Sequence, residues 1–196
     1  LASLQARREK RGILKNKLTT KAEYEASLAA WKALPAEQKE KTHPPMPNYI
    51  QSAAVVMDNA TGALLAVVGG RDAEESKLNR AIQSRRQTGS LFKPFIYATF
   101  FQQGNSADTR ISDDRIAYGE IRGAANWSPR NSDGTYRGMK PASFGLILSR
   151  NTMSVRIGNR AGLSNVIQSA QLAGFHGNIS RTPALYLGTW EASPLD

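Results

Sequence analysis

The chain has 196 residues, of which 40% are hydrophobic and 21% charged, which suits one domain with a real core plus an appendage. The absence of cysteine excludes disulfides, thiolate metal sites and Cys nucleophiles, and no apolar run approaches the roughly 18 residues of a membrane-spanning helix. The formal charge of +10 is diffuse, with ten basic and five acidic residues before Gln51 and sixteen and eleven from there on; such a surface favours polyanions in general without choosing among nucleic acid, anionic lipid and anionic wall polymer.

The sequence opens at Leu1 with no charged-then-apolar leader pattern, so it is expected to be processed or excised, soluble by itself, with any membrane anchor outside it. Residues 1–50 are expected to form a helical appendage and a linker. Leu4, Ile13, Leu14, Leu18, Tyr24, Leu28, Trp31 and Leu34 recur at intervals compatible with helical stripes. Pro35 is expected to stop the helix, and Thr42-His43-Pro44-Pro45-Met46-Pro47 forms a stiff linker into the domain at 51–196. Residues 53–57 and 63–68 are short runs of small and β-branched residues around Asp58-Asn59-Ala60-Thr61-Gly62, which predicts a β-hairpin. Its lack of polar alternation predicts a hairpin covered on both faces.

Next, residues 91–101 predict a buried helix whose start is set at or just before Ser90 by Pro94 in its first turn. A polar stretch with an Asn131-Ser132-Asp133-Gly134 turn leads to three short helices at 142–148, 152–159 and 163–172. His43 and His176 lie far apart in polar contexts, so no metal or cofactor site is expected.

The chemistry concentrates at Ser90 and Lys93. Three residues apart on a helix, a hydroxyl and an amine share one face within hydrogen-bonding reach. Serine becomes a good nucleophile only when a base takes its proton, and lysine serves only if desolvation or nearby cations lower its pKa. Leu91, Phe92, Phe95, Arg85 and Arg86 are the expected sources of those influences, and a helix N-terminus adds a positive partial charge for an oxyanion. Ser-x-x-Lys alone is a weak signal, since most such serines are N-caps. Ser149-Arg150-Asn151, about sixty residues downstream, adds a hydroxyl able to relay a proton and an amide that both donates and accepts.

Ser-x-x-Lys with Ser-x-Asn is the pattern of penicillin-binding proteins and related β-lactamases. Several stretches closely resemble the transpeptidase domain of class A, bifunctional penicillin-binding proteins: 54–58 with Thr61-Gly62, 67–70, Asn79-Arg80-Ala81, 87–94, Trp127-Ser128-Pro129-Arg130-Asn131, Ser149-Arg150-Asn151-Thr152, Leu187-Gly188-Thr189 and Ser193-Pro194-Leu195. The resemblance implies an α+β fold of the DD-peptidase and serine β-lactamase type, here a β-hairpin plus the helical region with later sheet strands missing. It implies that Ser90 attacks the D-Ala-D-Ala carbonyl of a peptidoglycan stem peptide, or a β-lactam, while Lys93 takes its proton and Ser149 shuttles protons to the leaving group. Asn151 would hold the substrate amide, with Trp127 and Asn131 in the loop beside the cleft. The parent protein would sit on the periplasmic face of the cell membrane, anchored through a segment outside this chain.

One element of the family pattern has no match. The Lys-Thr-Gly or Lys-Ser-Gly strand expected beyond the second motif does not occur, and Lys41-Thr42 is followed by His43 on the wrong side of Ser90. The chain is therefore expected to be an incomplete domain, slow or inactive alone, because loss of an oxyanion donor costs about 10²–10³ in rate. Two other classes compete. One is a penicillin-binding sensor or scaffold that acylates without turnover; the other is a basic nucleic-acid-binding module, which lacks any recognition motif, so no nucleic-acid partner is expected. A β-lactamase would need a deacylating carboxylate, and Glu120 has nothing to single it out.

Overall fold

The computed structural model describes residues 18–196. The expected helical positions at Leu4, Ile13 and Leu14 lie outside the described residues. The chain divides into two compact units, one running up to Ser84 with Leu195 and one comprising Arg85–Pro194 with Asp196.

In the first unit, α1 (Lys21–Lys32) starts at Thr20, whose Oγ1 accepts from the Glu23 amide while Glu23 accepts from the Thr20 amide, a reciprocal capping box. α1 buries Tyr24, which meets Tyr49 edge-on at 5.6 Å between ring centroids. Pro35 does not simply end the helical segment; it is the N-cap of the short α2 (Ala36–Glu40), a position where its fixed φ is an advantage. β1 (Ala54–Met57) and β2 (Leu64–Val68) pair antiparallel as expected. Asp58 builds the connecting turn by accepting from the Ala60 amide at 2.9 Å and the Thr61 hydroxyl at 2.8 Å, and Gly62 supplies a φ of +72°.

The expectation that this hairpin is covered on both faces is corrected. Leu65 is 65% exposed, and Val56, Met57, Leu64, Val67 and Val68 are exposed too. Each strand pairs only with the other, and a two-stranded ribbon has no third layer against which to bury its side chains.

The second unit is built around α3 (Lys93–Gln102), which a 3₁₀ turn, Gly89–Phe92, leads into. Its long apolar run follows from its place at the centre: Phe92, Ile96, Tyr97 and Phe100 are fully buried. Packed around it are α4 (Ala142–Ile147), α5 (Asn151–Ala161), α6 (Leu163–Leu172) and a 3₁₀ segment, Pro183–Leu187. These ranges match the three short helices read from the sequence. Two small antiparallel pairs complete the unit, β3 (Arg86–Gln87) with β6 (Glu191–Ala192) and β4 (Arg110–Ser112) with β5 (Met139–Pro141). Helices with small antiparallel sheets make this an α+β fold.

Close packing depends on missing side chains at two helical glycines. A Cβ at Gly145 would lie 2.5 Å from the Tyr97 hydroxyl, and one at Gly158 would lie 2.3 Å from Cδ1 of the buried Tyr186 ring. The Gly158→Ala variant is therefore expected to lose about 1–3 kcal/mol of stability by overpacking. Urea denaturation checks this, and a Tyr186→Leu background, which clears the ring, should recover most of the loss if the clash is the cause.

Candidate active site

All six residues singled out by the sequence lie in the second unit. Ser90 is exposed on the 3₁₀ turn, and its hydroxyl has no hydrogen-bond partner among the described residues. The turn is pinned from behind. The Gly89 amide donates to the Gly188 carbonyl at 2.9 Å and the Thr88 amide to the Trp190 carbonyl at 2.9 Å. Gly188, at φ +71°, is where the two backbones meet, because a Cβ there would fall 1.9 Å from the Gly89 carbonyl oxygen. Ser90 thus sits on a supported backbone with a free hydroxyl.

Lys93 begins α3 one turn later, buried at 1% exposure. Its amine does not bond to Ser90, as the i, i+3 spacing led one to expect. It reaches across to the α4–α5 junction and donates to the Ser149 carbonyl at 2.7 Å, the Ser149 hydroxyl at 3.0 Å and Asn151 Oδ1 at 2.7 Å. The structure thus brings Lys93, Ser149 and Asn151 into one cluster at the foot of the Ser90 turn. Burial, with the Arg150 charge adding to it, lowers the Lys93 pKa from its ordinary 10.5 to about 8. The cation beside Lys93 is therefore Arg150, not the expected Arg85 and Arg86. Arg85 is exposed and donates to the Glu191 carbonyl at 2.9 Å. Of the expected apolar neighbours, Phe92 is buried, whereas Leu91 is 80% exposed.

Asn151 Nδ2 donates to the Arg130 carbonyl at 2.9 Å, which fixes which way the amide points. Asn131 is not placed on the surface of a cleft. It is 4% exposed, and its Oδ1 accepts from the Asn151 amide at 2.8 Å while its Nδ2 donates to Asp113 at 2.9 Å. Its side chain thus ties the Asn151 backbone to Asp113. Trp127 is half-buried and packs against the hydrophobic core.

Sequence reading missed Asp113 and Asp133, and it assigned no role to Arg150. Arg150 Nε donates to Asp113 at 2.9 Å and Nη1 to Asp133 at 2.8 Å. Burial alone would push Asp113 up, but hydrogen bonds from Arg150, Thr152 and Asn131 and the Arg150 charge outweigh it and hold the carboxyl below its usual range. The available signal was the charged residue inside Ser149-Arg150-Asn151, which no surface role explained. Glu120, weighed earlier as a deacylating carboxylate, is engaged by Arg156, whose Nη2 donates to it at 3.0 Å.

Residues 52–182 match the penicillin binding protein transpeptidase domain family. Penicillin-binding protein 1A of Neisseria meningitidis is 37% identical over 148 residues, and that of Pseudomonas aeruginosa 35% over 147. The aligned region is 74% of this chain and 18% of each relative, so the chain spans less than a fifth of the length of the curated relatives it matches. The crystal structure of penicillin-binding protein 1A from Haemophilus influenzae superposes with a TM-score of 0.69 at 35% identity, covering 76% of this chain and 22% of that one. The Mycobacterium tuberculosis PonA1 protein in complex with penicillin V shares the fold, with a TM-score of 0.63 at 21% identity over 88% of this chain and 45% of that one.

Burial of Lys93 carries a pH signature. Between its folded value of about 8 and its ordinary 10.5, the unfolded chain holds more protons at this position than the folded one. Stability contributed here therefore rises with pH through that window, and the penalty for the charged amine is fully present below it. Urea unfolding of the chain and its Lys93→Met variant at pH 7.5 and 10 should show the wild type gaining relative to the variant at the higher pH.

Proposed function

The chain belongs to the penicillin-binding transpeptidase family, as a relative of class A penicillin-binding protein 1A, and we propose that it carries the serine–lysine part of a peptidoglycan D,D-transpeptidase site. The observation that carries this reading is a buried lysine amine with a pKa of about 8, bonded to Ser149 and Asn151 beneath a turn that presents an unengaged Ser90 hydroxyl. A base poised near neutral pH and a serine within one turn of it are what acyl transfer needs.

In the proposed reaction, Ser90 Oγ attacks the carbonyl between the two D-alanines of a stem peptide. Its proton passes to the neutral Lys93 amine, and the carbonyl oxygen takes up negative charge. Collapse of this intermediate breaks the C–N bond, and the departing D-Ala amine takes a proton through the Ser149 hydroxyl, which lies 3.0 Å from Lys93. The amine of a second stem peptide then attacks the acyl-enzyme, forming the cross-link and restoring Ser90. A β-lactam enters the same first step and remains attached. Asn151 is proposed to orient the substrate amide, while Asn131 and Trp127 support the loop beside it. We propose that the protein acts on the periplasmic face of the membrane, a location consistent with a peptidoglycan substrate. Among the described residues no helix is long and apolar enough to cross a membrane, so we assign anchoring to a segment other than these.

Fluorescent penicillin tests the reading, applied to the chain alone and with a relative's C-terminal segment carrying Lys-Thr-Gly supplied. Label is expected on Ser90 in the completed domain, with Ser90→Ala abolishing it. Because the base acts when neutral, the labelling rate should climb as pH rises through about 8. Label that persists in Ser90→Ala, or maps to another peptide, would exclude the nucleophile assignment. Acylation without any cross-linked product would favour the sensor reading.

A further inference from the structure

Behind the Ser149–Asn151 turn lies a group of side chains that acyl transfer does not use. Asp113 is 0% exposed and takes four donors: Arg150 Nε at 2.9 Å, Thr152 Oγ1 at 2.6 Å, Asn131 Nδ2 at 2.9 Å and the Arg137 amide at 3.1 Å. Arg150, 6% exposed, spreads its guanidinium between Asp113, Asp133 and the Thr135 carbonyl. A buried ion pair adds little stability over apolar side chains of the same volume, so its presence here calls for a reason in geometry.

That reason sits one residue earlier. Among the described residues, Ser149 alone has a positive φ without being glycine, at +53°. A left-handed serine is strained and persists only where its surroundings over-determine it. In that conformation both its carbonyl and its hydroxyl accept from the Lys93 amine. The next residue is the N-cap of α5, with its amide donating to the Gly145 carbonyl at 2.8 Å.

We infer that Arg150, gripped by the buried Asp113 and the exposed Asp133, is a positioning residue that locks Ser149 in its left-handed conformation and so holds both Ser149 oxygens on Lys93. Thr152 and Asn131 complete the grip: Thr152, in the first turn of α5, donates its hydroxyl to Asp113, and Asn131 donates to Asp113 while accepting from the Asn151 and Thr152 amides. Arg150 is also the charged side chain whose field reaches Lys93. On the other elements packed around α3, α4 has no ionisable group, α6 has none either, and the Pro183–Leu187 segment carries the buried Tyr186. α5 adds Arg156 and Arg160, with Arg156 paired to Glu120. Within α3 itself Tyr97 is the other titratable group, and its hydroxyl faces Ser154 at 3.4 Å.

The consequence for catalysis rests on the proposed role of Lys93 as base, but the test reads Lys93 directly and needs no acylation. The titration of the Lys93 side chain is followed by NMR in the chain with ¹³C-labelled lysine, assigned through Lys93→Arg. In the wild type the midpoint is expected near 8. Arg150→Lys, which keeps the charge and loses the fork, should lower it by about half a pH unit or more, because the Ser149 oxygens that stabilise the ammonium are no longer held on it, and Arg150→Met, which also removes the repelling charge, should titrate about as much above Arg150→Lys. A midpoint unchanged or raised in Arg150→Lys overturns the positioning role, since the Ser149 oxygens would then not depend on the fork; one unchanged in both variants overturns the inference entirely. Should either variant not fold, exchange of the Arg150 Nε–H in the wild-type chain decides. Slow exchange supports the grip, and exchange as fast as that of an exposed arginine overturns it. If Ser90 fails to label while these shifts occur, the transpeptidase reading falls and the positioning role stands.

Discussion

A lysine amine enclosed at 1% exposure sets the terms for the rest of the second unit. An ammonium taken from water must have every N–H satisfied, and here three oxygens from Ser149 and Asn151 do so. None of the three is a carboxylate. A carboxylate partner would stabilise the charged form and raise the pKa, whereas neutral acceptors allow the proton to leave without breaking an ion pair. The permanent cation nearby, Arg150, is treated in the opposite way and is given Asp113 and Asp133. Carboxylates thus go to the arginine, and neutral oxygens go to the lysine.

The backbone around this amine is shaped by close approaches. Gly145 admits the Tyr97 hydroxyl, Gly158 admits the Tyr186 ring, and Gly188 admits the Gly89 peptide. The first two draw α4 and the Pro183–Leu187 segment onto the central helices. The third fixes the turn bearing Ser90. Distances of a few ångströms at the site therefore depend on side chains that are absent elsewhere, and well-packed interiors transmit such changes.

Much of this was legible in the sequence, because helix spacing, turn chemistry and the Ser-x-x-Lys and Ser-x-Asn motifs are local signals. The hairpin turn at Asp58, the start of the helix near Ser90 and the three helices from 142 to 172 emerged as read. What could not be read was set by contacts between distant residues. The spacing of Ser90 and Lys93 places them on one face, yet burial and the acceptors offered by Ser149 and Asn151 draw the amine away. Asn131 was set beside the cleft by family resemblance alone, and it is buried with its amide donating to Asp113, 18 positions away. Arg85 and Arg86 were near Ser90 in sequence, but the β3–β6 pairing carries them toward Glu191 and Ala192. The hairpin strands kept the composition of buried strands while lying exposed, since composition records what a surface suits and not what covers it.

The hydrogen bonds from Thr88 and Gly89 to Gly188 and Trp190 join positions about a hundred residues apart. During synthesis the earlier partner leaves the ribosome first, and at roughly 5–20 residues per second the later one follows some 5–20 s behind. Until then the Ser90 turn lacks the strand that supports it, however well α3 has formed. The Ser90 turn is thus withheld from its finished geometry until translation has passed Trp190, so its assembly is ordered in time by the chain's own topology.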